Sequence, residues 1–320
     1  MRKLITTVQL ALSLAIIISI VSCGDKDEEP SASLAFDGSY NGIFSMQGVQ
    51  IGTWTMLVHK GQASGSFDYI TGSTAYTGTV YEGGKLEVNI TYDDGSTTET
   101  VITIKEDGVV SGTWANSDVE FGELSGAIEV TSFDGSYNGI AFSDEMYSAS
   151  WSLTISKGKA TGAYSGGDGN GLISGYVDGD GKLSIGSAFA TGTVLTAQGS
   201  IADGDVTVVW FDTTQESGTA VGALATGAFD NDYEGTALGG GVVIGTWTLN
   251  IASGKAMGVY NGSDDSSAIN GFANEDGDIY LGINQGDGDV VTVTGTIEGG
   301  DIAGSWTDSD GRSGTFVGGI

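Results

Sequence analysis

The sequence predicts an all-β protein built from three tandem, small, eight-stranded antiparallel meander barrels. The first observation is a motif, Phe-Asp-Gly-Ser-Tyr-Asn-Gly at residues 36–42, which returns at residues 133–139 and, in altered form, at residues 229–235. The second is the alternation of apolar and polar residues over short segments such as 54–58 and 86–92, which is typical of strands. The third is the presence of 55 glycines against a single proline, which fits tight hairpin turns.

The repeat extends through the whole of each unit. Successive copies are offset by 97 and 96 residues. These offsets place all six tryptophans at two repeat positions: Trp54, Trp151 and Trp247 at the first, and Trp114, Trp210 and Trp306 at the second. Self-similarity at a fixed period indicates one structural unit per repeat. We therefore expect domains at residues 35–130, 131–226 and 227–320.

The third unit shows how many strands a repeat holds. Its short Gly, Asp and Asn-rich breaks predict hairpins, and they separate eight strand candidates near residues 233–238, 242–252, 255–261, 267–274, 278–284, 290–298, 301–307 and 312–318. Eight antiparallel strands close a barrel of the size found in streptavidin-like and lipocalin-like domains. A β-propeller or sandwiches are the alternatives. A propeller is disfavoured because the Gly-Thr-Trp motifs at Gly52 and Gly112 do not divide the unit into equal halves.

The N-terminal segment, residues 1–22, is predicted to be a signal peptide. It has a basic start followed by an apolar run from Leu10 to Val21, which is short for a membrane span. The residues Ile20-Val21-Ser22-Cys23 resemble the lipobox of bacterial lipoproteins. That resemblance implies cleavage before Cys23, acylation of its thiol by palmitate and related chains, and stable membrane attachment through lipid. Cys23 is the only cysteine of the chain.

An acidic tether, residues 23–34, follows the cleavage site. Its Lys26 and the acidic residues around it resemble the surface-export signal of lipoproteins from Bacteroidota. The resemblance implies a location on the outer face of the outer membrane. An ordinary solvated tether is the alternative, since short charge runs usually are solvated.

The formal net charge of −30 limits the partners. A strongly acidic chain repels nucleic acid and anionic headgroups, so we expect a protein or glycan partner and no nucleic acid. Catalytic residue types are scarce as well. The only histidine, His59, has Ser156 and Ala252 at its repeat positions. Catalytic triads, thiol nucleophiles and most zinc sites are thereby excluded, and we expect a protein that is not an enzyme.

Calcium is the one cofactor that the sequence leaves open. Asp178, Asp180, Asp308 and Asp310 lie in Asp-x-Asp-Gly segments that resemble the start of calcium loops. The Glu that ends such a loop is absent from both segments. Asp-Gly is also a preferred hairpin turn, so we expect no cofactor, or at most weak Ca²⁺ binding.

The six tryptophans have two interpretations, as core residues or as ligand-binding platforms. A filled barrel favours a cell-surface lipoprotein that displays acidic β-domains for interaction, adhesion or spacing. A barrel with an interior cavity favours the alternative, in which the lipoprotein binds a glycan or small ligand for uptake.

Overall fold

A computed structural model describes residues 34–320 except residues 70–71, 93–94, 167–168, 190–192, 264–265 and 286–287. The predicted signal peptide, Cys23 and the tether up to residue 33 lie outside the described residues. Among those that are described, no helix is long and apolar enough to cross a membrane.

The first barrel consists of β1 to β8. These strands are β1 Gly38–Met46, β2 Val49–His59, β3 Gln62–Tyr69, β4 Gly72–Thr79, β5 Lys85–Thr91, β6 Thr97–Ile104, β7 Val109–Asn116 and β8 Phe121–Ile128. The hydrogen-bonded order is β4-β3-β2-β1-β8-β7-β6-β5. A single 3₁₀ turn, Glu82–Gly84, connects β4 to β5, and an isolated bridge joins Val80 to Leu86 there. This barrel is therefore nearly closed.

The second and third barrels are fully closed. The second contains β9 Gly135–Ser143, β10 Met146–Ser156, β11 Lys159–Gly166, β12 Gly169–Val177, β13 Lys182–Phe189, β14 Val194–Ala202, β15 Asp205–Asp212 and β16 Ser217–Leu224. The third contains β17 Asn231–Gly239, β18 Val242–Ala252, β19 Lys255–Asn261, β20 Ser266–Ala273, β21 Asp278–Asn284, β22 Val290–Glu298, β23 Asp301–Asp308 and β24 Ser313–Gly319. Each strand pairs with its neighbours in sequence, and the first strand pairs with the last. The predicted fold of three eight-stranded meander barrels is confirmed, and the propeller and sandwich alternatives are excluded.

The first repeated tryptophan explains two repeated glycines. Gly42 on β1 pairs with Trp54 on β2 and with Gly126 on β8. The indole ring therefore lies over two neighbouring positions that have no side chain. A Cβ at Gly42 would lie 2.3 Å from Trp54 Cε2, and one at Gly126 would lie 2.4 Å from Cζ2. The same contacts recur around Trp151 and Trp247. Glycine is required here because a side chain would occupy the volume of the ring.

The second repeated tryptophan ties the last strands to the first. Nε1–H of Trp114 on β7 donates to the Ser45 carbonyl oxygen on β1 at 3.1 Å. Trp306 makes the equivalent bond to the Leu238 carbonyl oxygen, also at 3.1 Å. Each bond spans the intervening strand and joins the two ends of the meander.

The motif that begins each unit holds a hairpin turn. Asp37 accepts hydrogen bonds from the N–H groups of Lys60 at 2.7 Å and Gly61 at 3.1 Å, in the β2–β3 turn. The Tyr40 hydroxyl donates to the Phe36 carbonyl oxygen at 2.8 Å. Equivalent bonds recur in the other two barrels. The repeated Phe, Asp and Tyr are thus structural residues.

Successive barrels contact each other through the same repeat positions. Asn41 Nδ2 donates to the Lys157 carbonyl oxygen at 3.1 Å, and Asn138 Nδ2, one repeat later, donates to the Ser253 carbonyl oxygen at 3.2 Å. The hydrogen bond between the first and second barrels is therefore repeated between the second and third.

One residue from each of the first two barrels, here called a knob, packs into the following barrel: Gln50 of the first and Tyr147 of the second. The N–H of Gln50 donates to Thr196 Oγ1 at 3.1 Å, and the N–H of Tyr147 donates to Thr292 Oγ1 at 2.9 Å. Both knob residues are buried, and the side chain of each lies against a glycine of the following barrel. The equivalent residue of the third barrel, Val243, is 56% exposed.

Candidate ligand cavity in the third barrel

Aromatic rings pack against one another in the interior of the first barrel. The ring centroid of Phe44 lies 5.8 Å from that of Phe67 and 4.8 Å from that of Tyr69, with edge-to-face geometry. Phe67 stacks on Tyr76 at 4.7 Å. Burial raises the pKa of the Tyr76 phenol well above its ordinary value. The rings leave this barrel with a packed aromatic core.

The third barrel instead contains a cavity of about 470 Å³. It lies at the end of the barrel that carries Gly240, Gln285 and Arg312. This volume falls within the range of about 300–1,000 Å³ that is typical of small-molecule sites. Its apolar wall includes Tyr260, Ile283, Val291, Val293, Trp306 and Phe316.

Two positions that line the cavity carry smaller residues than the first barrel has there. Phe44 of the first barrel corresponds to Ala237 of the third, and Tyr92 corresponds to Gln285. Phe44 and Tyr92 belong to the aromatic core of the first barrel, whereas Ala237 and Gln285 line the cavity. Loss of large rings from a barrel of equal strand number leaves interior volume unfilled.

The second barrel is intermediate. Its interior holds a void of about 40 Å³, an order of magnitude smaller than the cavity of the third barrel. The void is lined by apolar side chains that include Trp151, Tyr164, Leu195 and Trp210. This volume is too small for a drug-sized ligand.

Charged and polar groups surround the mouth of the third barrel. Gln285, Asp308, Arg312 and Ser313 line the cavity. The Asp308 side chain is only 4% exposed, and it accepts a bond of 2.5 Å from Arg312 Nε. Arg312 Nη2 also lies 2.8 Å from Asp289 Oδ2. The hydrogen bond to Asp308 and the surrounding carboxylates raise the pKa of the guanidinium above its ordinary value.

The six tryptophans differ in their access to these spaces. Trp54 and Trp247 are buried in the cores, with exposures of 0% and 1%. Trp247 stacks on Phe316 at 4.2 Å. Trp114 is half-buried against the core of the first barrel. Trp306 alone among the six lines the large cavity, since Trp151 and Trp210 line the small void.

The calcium candidates lie in hairpin turns. Asp178 Oδ1 accepts bonds from the N–H groups of Asp180 at 3.0 Å and Lys182 at 2.9 Å. Asp308 Oδ1 makes the same pair of contacts with the N–H groups of Asp310 and Arg312. In the part of the chain that is described, no cluster of three or more His, Cys, Asp or Glu side chains is placed to hold a metal ion. The local geometry is that of turns closed by an aspartate.

Most residues of the cavity escaped the sequence prediction, which included only Trp306 and Asp308; among those missed are Ala237, Gln285 and Arg312. The signal that indicates Ala237 and Gln285 is a difference between repeats, a small or polar residue where the first unit has Phe44 or Tyr92. Arg312 carries no comparable signal, because its position on the mouth depends on how the β23–β24 turn folds.

No protein-family model and no curated protein matches the chain. Among solved structures, a double mutant of transferrin binding protein B from Haemophilus parasuis Hp5 is 11% identical, with a TM-score of 0.24, covering 88% of this chain and 75% of that one. The isotype 1 protein from serogroup B Neisseria meningitidis is 12% identical, with a TM-score of 0.22 and coverages of 92% and 77%. An intact transferrin binding protein B with N and C lobes is 10% identical, with a TM-score of 0.25 and coverages of 91% and 77%. Likeness at this level identifies no family for the chain.

Proposed function

We propose that this protein is a non-enzymatic surface lipoprotein whose third barrel binds a small apolar ligand. The observation that carries the proposal is the cavity of about 470 Å³ in the third barrel, at positions where the first barrel is filled by rings. A cavity with an apolar wall and a few polar groups at its mouth is the usual form of a small-ligand site.

The chemistry of the wall favours an apolar ligand over a glycan. Below the mouth, the wall offers few hydrogen-bond partners, because it is formed by Tyr260, Ile283, Val291, Val293, Trp306 and Phe316. A sugar buried there would lose water from several hydroxyl groups without replacement, at a cost of about 1–3 kcal/mol for each unpaired group. An alkyl or aryl group has no such cost.

The first two barrels serve as a spacer in this proposal. Aromatic rings pack in the interior of the first barrel, and the second contains a void of only about 40 Å³. The repeated hydrogen bonds from Asn41 and Asn138 join one barrel to the next. The acidic chain, lipid-anchored at Cys23 on the outer membrane, holds the third barrel away from the surface. The lipobox-like residues Ile20 to Cys23 support the anchor.

The anchor has its own test. Cells that express the protein in the presence of labelled palmitate are expected to incorporate the label, and the protein is expected to sediment with membranes. The Cys23→Ala variant should lose the label because the thioether attachment point is gone. A Cys23→Ala protein that still carries labelled palmitate would contradict the assignment.

Ligand binding is tested by calorimetric titration of the chain lacking residues 1–23 with 1-octanol, a neutral eight-carbon probe. We expect saturable binding to one site per chain. The variant Ala237→Phe restores the ring found at Phe44 in the first barrel and should abolish binding. Ala303→Phe is the matched control, because Ala303 is exposed on the outside of the same barrel.

The two variants separate cavity binding from surface binding. Loss of octanol binding in Ala237→Phe alone supports the proposal. Equal affinity of the wild type and both variants would contradict it, since the octanol would then be bound outside the cavity. A circular dichroism spectrum unchanged by the substitution shows that the barrel has folded.

A second candidate function, interaction with another protein, is favoured by one surface of the third barrel. Val242, Val243 and Ile244 are 68%, 56% and 40% exposed, at the positions through which the first two barrels dock. An array of proteins and glycans, probed with and without calcium, tests it. Binding that is lost in Val243→Asp supports the interaction, and silence on the array counts against it.

A further inference from the structure

The mouth of the third-barrel cavity carries more negative than positive charge. Among the described residues of the mouth, Arg312 is the one basic side chain, and the carboxylates of Asp289, Asp308 and Asp310 surround it. Its Nε donates to Asp308 at 2.5 Å, and its Nη2 lies 2.8 Å from Asp289 and 3.4 Å from Asp310. The guanidinium is therefore already neutralised, and the formal charge of these four side chains together is −3 + 1 = −2. Such a mouth attracts a cationic group and repels an anionic one.

The cavity wall next to this mouth is aromatic. Trp306 and Tyr260 both line the cavity together with Asp308. Trp306 is held in place by the hydrogen bond from its Nε1–H to the Leu238 carbonyl oxygen, and Tyr260 by a bond of 3.3 Å from its hydroxyl to the Ile244 carbonyl oxygen. Indole and phenol rings attract cations through their π faces, more strongly when water is excluded.

We infer that the ligand of the third barrel is a cationic amphiphile, with an apolar body and an amine or quaternary ammonium head. The inference rests on the proposed function, because it concerns the same cavity. The apolar body lies against Ile283, Val291 and Val293, and the head lies at the mouth between the aromatic rings and the carboxylates of Asp289 and Asp308. A fatty acid is disfavoured, because its carboxylate would meet a mouth of net negative charge.

A matched series of eight-carbon probes tests the inference: octyltrimethylammonium, 1-octanol and octanoate, each below its micelle concentration. Each is titrated into the chain lacking residues 1–23 at low and high salt. We expect octyltrimethylammonium to bind at least about tenfold more tightly than either other probe. We also expect salt to reduce this preference, because it screens the charges at the mouth.

Three variants separate the cavity from general attraction to an acidic protein. Asp289→Asn removes one carboxylate at the mouth and should reduce the preference for the cation about threefold to tenfold. Asp118→Asn removes an exposed carboxylate of the first barrel and should have no effect. Ala237→Phe keeps the net charge and should abolish binding of all three probes.

The possible results distinguish this inference from the proposed function. Equal affinity for the cation and octanol, both lost in Ala237→Phe, overturns the cationic ligand and leaves small-ligand binding supported. Cation binding that survives in Ala237→Phe overturns the inference, since the cation is then held on the acidic surface. Failure of all three probes to bind overturns both.

Discussion

At the scale of single residues, the repeated motif is explained by one carboxylate. Asp37 accepts two backbone hydrogen bonds from the β2–β3 turn. The bond from the Lys60 N–H, and then that from the Gly61 N–H, lower the pKa of the Asp37 carboxyl. A lowered pKa in the folded state means that the unfolded chain binds the proton more tightly. Asp37 therefore stabilises the fold above its unfolded pKa of about 3.9, and this contribution is lost as pH falls through the folded value.

The variant Asp37→Asn tests this residue. We expect its melting temperature to lie below that of the wild type at pH 7 and to approach it near pH 2, where both side chains are uncharged. Thermal melts followed by circular dichroism at several pH values measure the difference. Asp118→Asn is the control for loss of one exposed carboxylate. A difference between Asp37→Asn and the wild type that does not change with pH would contradict the account.

At the scale of strands, the closure of each barrel depends on glycines beneath a tryptophan. A Cβ at Gly222 would lie 2.4 Å from the Trp151 ring. We expect Gly222→Ala to lower the free energy of unfolding by ~1–3 kcal/mol, as overpacking usually does. Urea denaturation measures the change.

Gly72 supplies the comparison for that substitution. It also lies in a strand, but a Cβ there would meet no atom within 4 Å. Gly72→Ala should be neutral or stabilising by up to ~1 kcal/mol, because alanine restricts the unfolded chain. Similar effects of the two substitutions would show that the ring contact is unimportant.

The strands and barrels were predictable because their signals repeat. The short Gly, Asp and Asn-rich turns indicated the strand order, and three copies of the Trp and Gly positions indicated the repeating unit. The cavity was not predictable from the repeat, since it arises where the copies differ, at Ala237 and Gln285. Its mouth depends on the pairing of Arg312 with Asp289, residues 23 positions apart, and local sequence patterns contain no information on such a contact.

At the scale of the whole molecule, the barrels are joined by knobs that fit glycines. A Cβ at Gly282 in the third barrel would lie 2.0 Å from the Tyr147 ring of the second. We expect Gly282→Val to separate these barrels while each keeps its own fold. Small-angle X-ray scattering should show a larger radius of gyration, with an unchanged circular dichroism spectrum. An unchanged scattering curve would indicate that this contact does not hold the barrels together.

A carboxylate of the second barrel, Asp205, has a raised pKa because of its surroundings, which include charges of the third barrel. Burial, followed by repulsion from Asp276, raises the pKa of Asp205. The folded state then binds this proton more tightly than the unfolded chain, so stability falls as pH rises through the raised value. Asp205→Asn should raise the melting temperature at pH 7 and have little effect at pH 3. A lower melting temperature for Asp205→Asn at pH 7 would contradict this assignment.

The third barrel is hollow at the positions where aromatic rings pack in the first. Xenon enters apolar cavities of this kind, so diffraction from crystals pressurised with xenon tests the claim most directly. We expect xenon between Ile283, Trp306 and Phe316 of the third barrel, and none among the rings around Phe44 in the first. A third barrel without xenon, or equal occupancy of the two barrels, would contradict it.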